Sequence, residues 1–147
     1  MTVPAEYSRA SEQFETFLVD VRDRAGLSTT HQAFTMTQGV LQVFRRRLTV
    51  QDALRFADVL PVGLRALFVI DWEISDTPAA FGDRASMTKE VQSLRRAHNF
   101  APPTAISEVA GALWKHVEAN QLERVLAKLP SGAKDFWKAE RGANGAS

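Results

Sequence analysis

The chain has 147 residues, 45% hydrophobic and 24% charged, with 18 basic against 17 acidic groups. That length supports one domain able to bury about 70% of its unfolded surface, and the composition excludes an intrinsically disordered chain. A net charge of +1 excludes a whole-molecule field strong enough to draw in nucleic acid or a membrane, and the lack of cysteine excludes disulfides, thiolate metal sites and cysteine nucleophiles.

In chain order, residues 1–10 read as an amino-terminal arm. Phe14, Phe17, Leu18, Val21 and Ala25 then recur at helical spacing, with a start at Ser11 and a stop at Gly26. A second helix carries Phe34, Thr37, Leu41, Phe44 and Leu48 on one stripe, with Val40 beside it. Thr49-Val50-Gln51-Asp52 resembles a capping box that opens a third helix, with Ala53, Phe56, Ala57 and Leu60 inward. Pro61 ends that helix and suits the first turn of a fourth, which runs through Leu64, Leu67 and Phe68 to about Trp72.

Residues 75–85 lack periodicity and read as a linker. Four helices follow within 86–140: one with Met87, Val91, Leu94 and His98, one with Ile106, Val109, Ala110, Leu113 and Val117, one capped near Asn120 with Leu122, Val125, Leu126 and Leu129, and one opened by Pro130 that carries Phe136 and Trp137. Residues 141–147 read as a disordered tail. No window is read as alternating with period two, so no sheet is expected.

The two sets of four helices match. Leu60-Pro61-Val62-Gly63-Leu64-Arg65-Ala66-Leu67-Phe68 returns in degenerate form as Leu129-Pro130-Ser131-Gly132-Ala133-Lys134-Asp135-Phe136-Trp137. At that offset Phe44 falls on Leu113, Val40 on Val109 and Phe56 on Val125; before it the register slips by four, within a connection that carries Pro102-Pro103. Two related units are the expectation. Each has roughly 55–65 residues, too few for a secure core of its own. The expected fold is therefore all-α: a bundle of two degenerate four-helix repeats, about eight helices, packed as one compact domain through a pseudo-twofold interface. Residues 1–84 hold 9 basic and 11 acidic groups and residues 85–147 hold 9 and 6, an asymmetry that favours association of two halves or two copies.

Phe17-Leu18-x-x-Val21-x-x-Arg24-Ala25-Gly26-Leu27, Val40-Leu41-x-x-Phe44-x-x-Arg47-Leu48 and Leu60-Pro61-x-x-Leu64-Arg65-x-Leu67-Phe68 resemble the bacterial domain of unknown function 2267 family, and residues 90–137 resemble its second half. The resemblance covers about residues 14–138. It departs at Thr49-Val50-Gln51 and Glu118-Ala119-Asn120, where the family often has a Gly-rich turn, and at Ala97-His98-Asn99-Phe100, an eroded counterpart of Arg24-Ala25-Gly26-Leu27. It implies an all-α fold, no assigned activity and no catalytic residue.

The residues themselves carry little chemistry. His31, His98 and His116 stand alone and at unrelated positions in the two repeats: His31 in the length-variable connection, His98 at a helix end and His116 opposite Arg47. That placement favours isolated histidines over a zinc site. No phosphate loop, nucleophile elbow, dinucleotide fingerprint or calcium loop is present, and the pairs Asp20/Asp23 and Glu12/Glu15 lie on a polar face. No enzyme, cofactor or metal is expected. Arg45, Arg46 and Arg47, with Arg95 and Arg96, are the candidate anion contacts, although consecutive arginines fan out around a helix end where cations complement the dipole. A helix from Ala105-Ile106-Ser107-Glu108 offers little to a DNA base edge. Trp72, Phe81 and Trp114 are the candidate partner surface, since large aromatics outside the buried stripes suit a contact.

The function expected from these residues is a non-catalytic helical module that binds another protein or a second copy of itself. Association with nucleic acid through the arginines, and a small-molecule pocket in the seam between repeats, are the alternatives. The opening Met-Thr-Val-Pro-Ala-Glu-Tyr lacks the regions of a signal peptide, and the longest aliphatic and aromatic run, Ala66–Ile70, is too short to span a membrane, so the cytoplasm is the expected location.

Overall fold

In the computed structural model, residues 2–94 and 101–139 are described, and among them the only regular elements are nine helices. The expected arm contains the first, α1 (Ala5–Ser8), a single turn behind Pro4. The chain runs through Arg9 into α2 (Ala10–Ala25), which begins before Ser11 and has no side-chain cap. Its other end is as expected. Gly26 adopts φ 67°, and the amides of Leu27 and Gly26 bond to the carbonyls of Arg22 (2.9 Å) and Asp23 (3.4 Å), a Schellman stop.

α3 (Thr30–Arg45) starts in a reciprocal box between Thr29 and Gln32, which places His31 in its first turn rather than in a connection. The helix is also more deeply set than one stripe implies. Ala33, Met36, Gly39 and Val43 are buried along with Thr37, Val40, Leu41 and Phe44, because α2, α5, α6 and α7 all pack around it. A helix apolar on most sides is a central one. It stops at Arg45, so Leu48 joins the core from the turn beyond.

α4 (Val50–Ala57) follows Thr49, whose hydroxyl accepts from the Asp52 amide. α5 (Val62–Val69) follows Pro61 and ends three residues before Trp72. The irregular segment therefore spans residues 70–83 rather than 75–85, and Asp71 turns it with φ 52°. Its first half corrects the reading of no period-two window: Ile70, Trp72 and Ile74 alternate with Asp71, Glu73 and Ser75, and residues 72–75 are neither helix nor turn.

Asp83 caps α6 (Arg84–Ser93) by accepting from the Ser86 amide at 2.7 Å. α7 (Ala105–His116) buries Ile106, Val109, Ala110 and Leu113 as expected. α8 (Ala119–Lys128) is capped by Glu118, which accepts from the amides of Asn120 and Gln121; the cap expected near Asn120 lies two residues earlier. α9 (Ala133–Phe136) is one turn after Gly132 at φ 104°. The expected tail at 141–147, with Arg95, Arg96 and His98, lies outside the described residues.

One continuous core joins the two sets of helices. Its centre is aromatic: Phe44 lies 4.8 Å from Phe56, 4.9 Å from Phe136 and 5.2 Å from Trp137 between ring centres, and Trp137 stacks on Phe56 at 5.5 Å. Removing a ring so placed, as in Phe44→Ala, costs about 3–5 kcal/mol. A polar tie crosses the same boundary, where Asp20 on α2 meets His116 on α7 at 3.0 Å. Within the second set, Arg84 at the start of α6 donates to the Ser107 hydroxyl and to the carbonyls of Asp135 and Phe136, each at 2.7 Å.

Candidate protein-interaction surface

Where α3 ends, the three consecutive arginines diverge. Arg45 turns inward and is 6% exposed; its Nη1 donates to the carbonyls of Phe68 (2.9 Å) and Ile70 (3.0 Å), holding the end of α5. Those are carbonyls that a helix terminus leaves without partners. Arg47 is also buried, with Nη1 on the Val43 carbonyl (2.8 Å) and Nη2 on Glu90 Oε2 (2.7 Å). Arg46 is exposed, yet its Nη1 reaches Glu90 Oε1 at 2.9 Å.

Burial alone would raise the Glu90 carboxyl; hydrogen bonds and charge from Arg47 and Arg46 outweigh it and hold the group below its ordinary value. Arg45 is lowered by burial and by neighbouring Arg46, against the pull of Asp71. An arginine starts so far above neutrality that it keeps its charge. The arginine run thus braces α3 against α5 and α6, and two of its three guanidinium groups face into the protein.

Beside Arg45 an open cleft of about 410 Å³ separates the end of α3 from residues 71–79. Trp72 is half-buried there, its ring 5.4 Å from the Arg45 guanidinium carbon, close enough for a cation–π contact. The far side of the segment is pinned by the Ala79 amide donating to the Arg46 carbonyl at 2.9 Å. Val50 and Ile74 line the rim and are 38% and 62% exposed. Leu54, one turn along α4 from Val50, is 55% exposed, and Ile70, whose carbonyl Arg45 holds, is 47% exposed. Of the seven large hydrophobic side chains exposed among the described residues, five (Val50, Leu54, Val69, Ile70 and Ile74) fall between positions 50 and 74, and Val50 and Ile74 line the cleft and mark its apolar face.

Of the three aromatics expected at a partner surface, only Trp72 lies on that face. Phe81 packs over the boundary between the two helix sets, 6.0 Å from Phe44 and 6.4 Å from Phe136. Trp114 is half-buried, donates from Nε1 to the Trp137 carbonyl at 2.7 Å, and lines a separate cleft of about 530 Å³ with Leu126 and Lys134. The exposed aliphatics were missed by the sequence reading, although the alternation from Ile70 to Ser75 was a visible signal.

Other expected sites resolve as packing. His31 lies beside Phe34, and His116 is occupied by Asp20 and the edge of Phe17. Among the described residues no group of three or more His, Asp or Glu side chains is placed to hold a metal ion. The amino end of α7 buries Ala105, Ile106 and Ser107, so it presents none of them to a DNA groove. The central seam between the helix sets is filled by the touching rings of Phe44, Phe56, Phe136 and Trp137 where a small-molecule pocket would need space. Among the described residues no helix is long and apolar enough to cross a membrane.

An all-helical fold with one shared core among the described residues is the class of protein defined here. The family profile described as "Uncharacterized conserved protein (DUF2267)" matches residues 14–136, nearly the whole described fold, and the chain belongs to that family. No curated protein matches it.

Proposed function

We propose that this chain is a non-catalytic, cytoplasmic helical module that binds another protein through the face around the Arg45–Trp72 cleft. The concentration of exposed aliphatic side chains at Val50, Leu54, Ile70 and Ile74 carries the reading. Isolated apolar side chains on a surface need no explanation, but Val50 and Ile74 line one cleft, with Leu54 one turn along α4 from Val50, and a contact there removes them from water. The segment that bears Ile70, Trp72 and Ile74 is anchored at both ends, by Arg45 on the Ile70 carbonyl and by the Ala79 amide on Arg46. Such anchoring lowers the ordering cost of binding.

The test is photocrosslinking in the cell, with a photoreactive residue placed at Ile74 or Leu54 and, as control, at exposed Gln13 on α2. The expected result is a crosslinked protein of defined mass from positions 54 and 74 that is missing from position 13. Equal labelling from all three positions, or none, ends the reading. A crosslinked product of twice the chain mass identifies the partner as a second copy.

A further inference from the structure

The proposed face has a sign. The cations that line it are already engaged: Arg45 is buried against two carbonyls, and Arg46 is paired with Glu90. The charges that remain are acidic. Asp71 and Glu73 line the cleft, Asp76 follows two residues beyond Ile74, and all three are exposed and make no salt bridge among the described residues. They interleave with the apolar residues along the chain, where Ile70, Trp72 and Ile74 alternate with Asp71, Glu73 and Ser75.

From these features, and resting on the protein-binding reading above, we infer that the occupant of this face is a polypeptide segment in which lysine or arginine is interspersed with aliphatic residues. Its aliphatic side chains cover Val50, Ile70 and Ile74, and its cations meet Asp71, Glu73 and Asp76. Complementary charge around an apolar centre sets partner choice and speeds encounter, while burial of the centre supplies affinity. The sign is opposite to the one that the arginine run suggests from sequence. The carboxylates repel phosphate and other acidic ligands, and the surface selects a basic one.

The probes are three fluorescein-labelled dodecapeptides, alternating leucine with lysine, leucine with glutamate, and serine with lysine, titrated by fluorescence anisotropy against the full chain. The expected result is that the leucine–lysine peptide binds at least tenfold tighter than either control, and that raised salt weakens it. A variant carrying Asp71→Asn, Glu73→Lys and Asp76→Lys keeps a residue at position 71 that tolerates positive φ. With an unchanged circular dichroism spectrum, it loses at least tenfold toward the leucine–lysine peptide and prefers the leucine–glutamate one. Ile74→Ser weakens all binding without changing the preference. Equal affinity of the wild-type chain for the two leucine peptides, or a charge-reversed variant that binds as the wild type does, overturns the inference. So does sedimentation showing that the face is filled by a second copy released by Ile74→Ser. Crosslinking from position 74 to a partner without a basic segment would leave the protein-binding reading standing and remove only this one.

Discussion

Asp20 and His116 lie 96 positions apart, and their side chains meet at 3.0 Å between Oδ2 and Nε2. Both are 16% exposed, Arg24 shares the other Asp20 oxygen at 2.9 Å, and the Phe17 ring lies edge-on to the histidine at 5.6 Å. The contact closes α2 onto α7. A hydrogen bond to a charged group in such a place contributes on the order of 1.5–3 kcal/mol, more than an exposed pair does. Asp20→Asn and His116→Phe are each expected to lower stability in urea titrations. The double variant should lose less than the sum of the two. Strict additivity would mean that the pair is decorative.

Arg45 is expected to be the most sensitive of the three consecutive arginines. Arg45→Met leaves the Phe68 and Ile70 carbonyls without their donor and removes the cation beneath Trp72. Leaving buried carbonyls unpaired costs about 1–3 kcal/mol. Arg46→Met removes only an exposed ion pair and should cost well under 1 kcal/mol. Hydrogen exchange locates the effect. In Arg45→Met the amides of residues 70–77 should exchange faster than in Arg46→Met; equal exchange would refute the bracing role.

That difference shows where sequence reading stops. Helical stripes, Gly26 as a stop and the proline starts were legible because they depend on neighbours within one turn. Arg45, Arg46 and Arg47 each bond to groups 23 to 44 positions away, which no local pattern specifies. The exposure of Ile70 shows the same limit. The residue closes an apolar run that looks like core, but Asp71 turns left-handed beside it and leaves the side chain in water. The burial of Ala33, Met36 and Val43 likewise follows from the elements that surround α3 and is invisible in one helix. The alternation from Ile70 to Ser75 was readable, but it sat where a helix end and a linker were expected.

Glu90 should make stability depend on pH. Its folded carboxyl titrates below the unfolded one, so the folded state binds fewer protons near that range. The stabilisation is complete above the ordinary glutamate value near pH ~4.3 and is lost as pH falls through the lower folded value. Glu90→Gln should be less stable at neutral pH and lose less on acidification. Parallel stability profiles for the two proteins between pH 6 and the acid limit would contradict the assignment.

Thr37 offers a change in the opposite direction. It is wholly buried in α3, and its hydroxyl has no partner. Thr37→Val keeps the shape and removes a desolvated polar atom worth about 1–3 kcal/mol. A rise in melting temperature is expected. A fall would mean that the hydroxyl is satisfied in solution, by a water for example.

Gly26 and Gly132 separate backbone strain from crowding. Both have positive φ, 67° and 104°, but a Cβ on Gly26 would meet nothing within 4 Å while one on Gly132 would lie 2.7 Å from Phe81. Gly26→Ala should therefore cost only the left-handed penalty, about 1–2 kcal/mol. Gly132→Ala should cost more, because Phe81 is packed against Phe44 and Phe136 and has little room to retreat. Because the Phe81 Cβ is itself one of the atoms at 2.7 Å, Phe81→Gly rather than Phe81→Ala removes the clash, and in that background Gly132→Ala should fall toward the cost seen at Gly26. If the Gly132 penalty is unchanged without the Phe81 ring, the strain lies in the backbone alone, and Phe81 does not lock the irregular segment onto the second set of helices.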